Sequence, residues 1–187
     1  MTNRIVLASA SPRRRQLMAQ VGIPCEVMES GADENVVGSA FDIVRTLAVR
    51  KAMAVRSKVS DDTVVIGGDT LVELDGEVLS KPEDEGDAFN MLRKLSGKRH
   101  RVYTGVALCR GDRVIDFVDE AYVFFRELSD KEIWDYIATG EPMDKAGAYG
   151  VQERGATLVS RIEGDFYTVM GLPVSRVWVA LRDWGAL

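Results

Sequence analysis

The chain has 187 residues, 46% hydrophobic and 28% charged, with a formal net charge of −5. That is enough apolar material for a sizeable core in one compact domain over residues 1–187, with room for two lobes around a cleft. The acidic balance disfavours a general nucleic-acid coat, so any polyanion must be received in a local basic pocket, which favours a small ligand. Cys25 and Cys109 lie far apart without metal-ligand or C-x-x-C spacing and fit reduced thiols. The apolar run after Arg4 is only a few residues long before Ser9, too short for a signal peptide, and no run approaches membrane-spanning length. A cytoplasmic protein with neither membrane nor stable nucleic-acid partners is expected.

Ile5 to Ala8 reads as a buried strand and Ser11 to Val21 as a helix stopped by Gly22, with Ser11 a good N-cap and Pro12 suited to the first helical position. Arg13, Arg14 and Arg15 then crowd the positive end of the helix dipole, where cations are repelled. Open N–H donors and forked guanidinium groups together suit a phosphate or polyphosphate; a solvated basic face explains the same run equally well. Cys25 to Glu29 reads as a second strand, followed by the acidic turn Gly31-Ala32-Asp33-Glu34. From Ser39 to Ser57 the residues Val44, Leu47, Ala48 and Val55 recur at helical spacing, and Lys51 falls on that apolar stripe. Such a lysine either snorkels from the edge or has an acidic partner.

Val64 to Ile66 reads as a strand ending in Gly67-Gly68-Asp69-Thr70, and Asp75-Gly76 marks a hairpin between Leu71–Leu74 and Glu77–Ser80. Counting outward from Leu74 opposite Glu77 sets Val72 against Leu79 and Thr70 against Lys81, with Asp69 beside the mouth of the ladder. Strict alternation turns Asp69 away from Lys81 unless the paired glycines bulge, so proximity is expected and orientation is left open. Asp87 to Leu95 reads as a helix, Arg101 to Cys109 and Arg113 to Phe125 as strands joined at Gly111-Asp112, and Ser129 as the cap of a helix through Ala138. Gly140 to Gly155 is a glycine-rich shaped loop, followed by a strand near Leu158 to Ile162 and a last helix from Val174. The order is that of an α/β protein with a mixed sheet flanked by helices.

His100 is the only histidine and has no nucleophile partner in the pattern, so carboxylates must carry any chemistry. Glu34 after the second strand and Asp69 at the end of the third are placed where ligands gather in α/β sheets. Converging there, they would hold a divalent cation such as Mg2+ or Mn2+; apart, each is turn chemistry or solvated charge. Hydrolysis of a nucleoside triphosphate needs neutralised phosphates and an oriented water. Arg13, Arg14, Lys51 and Lys81 are candidates for the first, and Asp69 for accepting the water proton directly or through the metal. Gln152 carries an amide able to match the imide edge of uracil or thymine, although a loop glutamine needs no such role.

Taken together, Ser9-Ala10-Ser11-Pro12-Arg13-Arg14, Asp33-Glu34, Arg50-Lys51-Ala52, Gly67-Gly68-Asp69-Thr70, Lys81-Pro82, Leu95-Ser96-Gly97 with His100, Glu141-Pro142, Asp144 to Gln152, Gly164-Asp165 and Val169 to Pro173 resemble the Maf family of nucleoside triphosphate pyrophosphatases over almost the whole chain. The resemblance implies a fold similar to the Maf and inosine-triphosphatase-like proteins, and a dimeric, metal-dependent enzyme that converts a nucleoside triphosphate to the monophosphate and pyrophosphate. It also implies that Asp69 is the proton acceptor and that Arg13, Thr70 and Gln152 select the substrate, with Ser9, Arg14, Lys51 and Lys81 as further binding residues. The Asp144 to Gln152 segment is similar to the branch preferring dTTP and UTP, which points to clearance of excess or non-standard pyrimidine nucleotides. A 7-methyl-GTP pyrophosphatase and a non-catalytic nucleotide-binding regulator of cell division are the alternatives. A pure binder gains little from an anionic Asp69 close to phosphate. Two positions depart from the family pattern: Gly68 stands where alanine is common, and Glu153-Arg154 where a glycine often follows the glutamine.

Overall fold

The computed structural model describes residues 4–187. Its elements are β1 (Ile5–Ala8), α1 (Pro12–Gln20), β2 (Glu26–Val27), α2 (Ala40–Arg56), β3 (Val64–Leu74), β4 (Glu77–Leu79), α3 (Glu85–Leu95), β5 (Arg99–Arg110), β6 (Arg113–Phe125), α4 (Asp130–Ile137), three short 3-10 turns, β7 (Val159–Glu163), α5 (Phe166–Met170) and α6 (Val174–Asp183). Among the described residues the strands form a seven-stranded mixed sheet in the order β2-β1-β3-β5-β6-β7, with β4 on β3. Ile5 pairs in parallel with Val64 and Val6 with Glu26, while β3 and β4, and β6 and β7, are antiparallel. The α/β class expected from the element order is therefore observed.

The helix starts follow their caps. Ser11 accepts from the Arg14 N–H, Ser39 from the Asp42 N–H, and Ser129 and Glu132 form a reciprocal capping box. Gly22 at φ 72° ends α1 in the left-handed conformation expected of a helix stop. Helix α3 begins at Glu85, earlier than the expected Asp87, because the Asp84 carboxylate caps the Asp87 N–H at 2.8 Å. The hairpin register is the one counted from the sequence, Leu74 with Glu77 and Val72 with Leu79, and the turn has Asp75 and Gly76 at φ 52° and 85°. The ladder ends there, so Thr70 and Lys81 are not a ladder pair.

By chain contacts the protein divides into two compact units. The first comprises residues 1–69, 104–119 and 171–187, and the second residues 70–103 and 120–170. In the first unit, Val6 and Ala8 of β1, Val65 of β3 and Ala107 and Cys109 of β5 pack with Ala48, Ala52 and Val55 of α2, all fully buried. Small residues on the helix and alternate residues on the strands let the two surfaces approach closely. In the second unit, α3 and α4 are joined by stacked Phe89 and Trp134 rings 4.8 Å apart and by Arg93, which pairs with Asp130 and donates to the Leu128 carbonyl. Both cysteines are free thiols, and burial pushes the Cys109 thiol up to about 11. Among the described residues no helix is long and apolar enough to cross a membrane.

Candidate functional site

In the first unit β3 does not stop at the glycines. It runs to Leu74, so Asp69 lies within a strand and not at its end as the pattern suggests. The glycines are there for close approach instead. A Cβ on Gly67 would lie 2.3 Å from the Ala48 carbonyl oxygen and 2.7 Å from the Ala52 N, and one on Gly105 would lie 2.2 Å from the Val44 carbonyl oxygen. Helix α2 therefore lies almost directly on the strand backbones. Alternation puts Asp69 on the same face as Gly67, towards α2. There Lys51 Nζ meets Asp69 Oδ1 at 2.7 Å and Glu34 Oε1 at 2.8 Å.

Lys51 and Asp69 are each only 12% exposed in their side chains, whereas Glu34 is 65% exposed. The lysine on the apolar stripe is thus not a snorkelling residue; it is held by two carboxylates, one inside and one at the rim. The acidic turn carrying Glu34 is tied to the same helix by Arg50, which donates to the carbonyls of Asp33 at 3.2 Å and Asn35 at 3.1 Å. Arg50 was not singled out on its own in the sequence, since a lone exposed arginine on a helix carries no signal until its target is known.

The opposite face of β3 is met by the arginine run. Gly68 leaves room for the Arg14 side chain, since a Cβ there would lie 3.2 Å from Arg14 Nε. Arg14 is buried; it donates from Nε to the Gly171 carbonyl at 2.7 Å and from Nη1 to Ser9 Oγ at 3.1 Å, and Ser9 Oγ also accepts from the Ser11 N–H. Burial lowers the Arg14 pKa, opposed by the charges of Asp69 and Glu34 and reinforced by that of Arg13. One arginine of the run is therefore internal and orders the β1–α1 junction, while Arg13 is half-buried and Arg15 exposed. Ser9, Arg14, Glu34, Lys51 and Asp69 are brought together by direct bonds or by the fields they exert on one another.

Thr70, Lys81 and Gln152 belong to the second unit. Thr70 is half-buried on β3 and Lys81 is exposed after β4. Gln152 is half-buried, its Oε1 enclosed and without a hydrogen-bond partner among the described residues. The loop around it is tightly shaped: Glu153, the departure from a glycine position, adopts φ 59°, a left-handed conformation unfavourable for a side chain with a Cβ.

His100 is also in this unit, 2% exposed, with Nε2 at 2.6 Å from the Tyr149 hydroxyl and Nδ1 without a partner among the described residues. Burial pushes its pKa down from 6.5 to about 3, which suits a neutral core histidine and not a proton-transfer group. Between those two values the unfolded chain binds a proton that the folded chain refuses, so this contribution is present above pH 6.5 and is lost as pH falls towards 3. Chemical unfolding from about pH 7 to about pH 4.5 is expected to show wild type losing roughly 2–3 kcal/mol more than His100→Gln. Equal losses would show that the buried imidazole is not the source.

The family model for Maf-like proteins matches residues 4–184 of this chain. The dTTP/UTP pyrophosphatase of Aquifex aeolicus (strain VF5) is 50% identical to it over 181 residues, spanning 96% of this chain and 95% of that protein. The dTTP/UTP pyrophosphatase of Alkaliphilus oremlandii (strain OhILAs) is 49% identical over 183 residues, spanning 96% and 95%. Among solved structures, the nucleoside-triphosphatase / dITP/XTP pyrophosphatase of Mycobacterium abscessus aligns with a TM-score of 0.48 at 13% identity, over 96% of this chain and 94% of that one. With its opening arginine signature, the Lys51–Asp69–Glu34 cluster and the Gln152 loop spread along the matched length, the chain belongs to the Maf family.

Proposed function

We propose that this protein is a nucleoside triphosphate pyrophosphatase that hydrolyses dTTP and UTP to the monophosphate and pyrophosphate. The observation that carries the reading is the convergence of two carboxylates, Asp69 and Glu34, on one cationic point at 2.7 and 2.8 Å, within the field of the arginines at the start of α1. Relatives about half identical over nearly their full length bear the name dTTP/UTP pyrophosphatase, which agrees with it.

The donor set fits a divalent cation, Mg2+ or Mn2+. Glu34 and Asp69 both reach Lys51 Nζ and so lie on one side of the same charge, and two carboxylates are what such an ion takes when substrate phosphates supply further ligands. When bound, the cation would neutralise phosphate charge and favour ionisation of water. Asp69 is the proposed proton acceptor. Water bonds to phosphorus, the anhydride between the α and β phosphates opens, pyrophosphate leaves and the water proton passes to the carboxylate. Lys51, largely buried, keeps Asp69 in place and offers its charge to phosphate oxygens.

Arg13 is proposed to grip phosphate directly, while Arg14 acts by fixing Ser9, whose hydroxyl remains able to donate. Thr70, Lys81 and Gln152 are proposed as substrate contacts, Gln152 through its amide, which can match a ring N–H donor. The enzyme is further proposed to work as a cytoplasmic homodimer that removes excess or modified pyrimidine nucleotides.

Incubation with UTP, dTTP and 7-methyl-GTP, with and without Mg2+ or Mn2+, tests the function by pyrophosphate release. Release from UTP and dTTP is expected only with the metal; no release from any triphosphate would sink the reading. Arg13→Ala is expected to raise KM and lower kcat, reducing kcat/KM by roughly tenfold to a hundredfold, because phosphate contacts tighten as charge moves. Unchanged kinetics would return the arginine run to a solvated face.

A further inference from the structure

Base recognition by Gln152 depends on how the segment carrying it is held, and that segment is pinned by residues assigned no role so far. Two positions before Gln152, the Gly150 N–H donates to the Tyr136 hydroxyl at 3.1 Å. Two and three positions after it, the Arg154 N–H donates to Glu141 Oε2 and the Gly155 N–H to Glu141 Oε1, each at 3.2 Å. The Tyr136 hydroxyl closes the circuit by donating to Glu141 Oε1 at 2.9 Å. Burial raises the Tyr136 pKa, so the phenol keeps its proton and remains a donor to the carboxylate.

One carboxylate and one phenol thus tie down three backbone N–H groups on both sides of Gln152. No slack exists around them: a Cβ on Gly155 would lie 1.9 Å from the Gly150 carbonyl oxygen and 2.8 Å from the Tyr136 hydroxyl, and one on Gly150 would lie 2.9 Å from Lys145 Cε. The left-handed Glu153 persists between these anchors because the bonds on either side over-determine it. Between these anchors lies Gln152, half-buried.

We propose that Glu141 and Tyr136 are positioning residues for base selection: they lock the 150–155 loop and so fix the orientation in which the Gln152 amide meets the ring N–H of a uracil or thymine. This rests on the pyrophosphatase reading and on Gln152 as the base-contacting group. Uracil presents N–H at ring position 3 where cytosine presents an acceptor, so the brace governs preference for UTP over CTP. A rigid acceptor penalises cytosine, whereas a slack loop lets the amide turn its NH2 towards the cytosine nitrogen.

The test compares kcat and KM for UTP and CTP in wild type, Glu141→Ala, Glu141→Gln, Tyr136→Phe and Gln152→Ala, with the Glu141→Ala/Gln152→Ala double variant completing a cycle. Glu141→Ala and Tyr136→Phe are expected to raise the KM for UTP more than they lower kcat and to cut the UTP-to-CTP ratio of kcat/KM by about tenfold. Glu141→Gln should recover part of the ratio, and the double variant should be no less selective than Gln152→Ala alone. Proportional losses for both substrates, or additive effects in the cycle, would overturn the proposal, since a merely structural role gives that result. Amide exchange of Arg154 and Gly155 should accelerate in Glu141→Ala, and unchanged exchange overturns the brace whatever the activity. A wild-type protein with no turnover of either nucleotide contradicts the parent reading instead, and exchange then still decides whether Glu141 pins the loop.

Discussion

Asp69→Asn is expected to lower kcat for UTP by about a hundredfold or more while leaving KM within a few fold, the loss typical when a positioned general base is removed. The substitution is nearly isosteric. Asparagine keeps a carbonyl oxygen for Lys51, which also retains Glu34 at 2.8 Å, so the ammonium is not left alone in its largely buried position. What disappears is the negative charge proposed to take the water proton and to help hold a cation. The metal dependence separates those two roles. If Asp69 acts mainly through the cation, higher Mg2+ or Mn2+ should recover part of the rate; if it acts mainly as base, saturation with metal leaves the defect intact. Near-normal turnover of Asp69→Asn would remove this residue from the chemistry and leave the Lys51 cluster a structural ion pair.

Gly67→Ala is expected to be among the most damaging single-methyl changes in the first unit, costing about 3 kcal/mol or more and lowering Tm by roughly 10 °C. The added carbon would lie 2.3 Å from the Ala48 carbonyl oxygen, 2.7 Å from the Ala52 N and 2.9 Å from the Ala52 Cβ. Two of these are helix backbone atoms, so relief requires α2 to move off the sheet. Activity should fall with stability, because Lys51 is carried by the same turn of α2 as Ala48 and Ala52 and would leave Asp69. The neighbouring Gly68 supplies the contrast. There a Cβ would meet Arg14 Nε at 3.2 Å and Cζ at 3.5 Å, atoms near the end of a long side chain that can shift by a few tenths of an ångström. Gly68→Ala should therefore be tolerated within about 1 kcal/mol. Equal Tm values for Gly67→Ala and wild type would show that α2 is not seated on Gly67 as described.

Several features were legible in the one-dimensional pattern because they depend on near neighbours in the chain. Ser11 and Pro12 set the start of α1, the Ser129-Glu132 pair sets that of α4, and Asp75-Gly76 sets the β3–β4 register, each through bonds or dihedral angles spanning a few residues. The arginines at the start of α1 and the lysine on the α2 stripe were legible as conflicts, since a cation at the wrong helix end or on an apolar face demands a partner. What resolves each conflict was not legible. Gly67 and Gly68 read as a strand end because glycine usually punctuates, yet β3 passes straight through them. Helix α5 was missed because five residues are too few to show a period.

The sequence by itself determined the α/β order, the caps, the hairpin and the membership of a family whose motifs lie along the whole chain, because those are properties of short segments and their succession. Only the tertiary structure decided that Lys51 bridges Asp69 and Glu34, that Arg14 turns inward to the Gly171 carbonyl while Arg13 does not, and that Glu141 reaches the N–H groups beyond Gln152. These pairings join residues from 13 to 157 positions apart, so they exist only once α2 lies against the glycine faces of β3 and β5 and the 140–155 segment closes on itself. Burial then makes them compulsory, since an ammonium, a guanidinium or a backbone N–H removed from water must find an acceptor in whatever the fold has brought within reach.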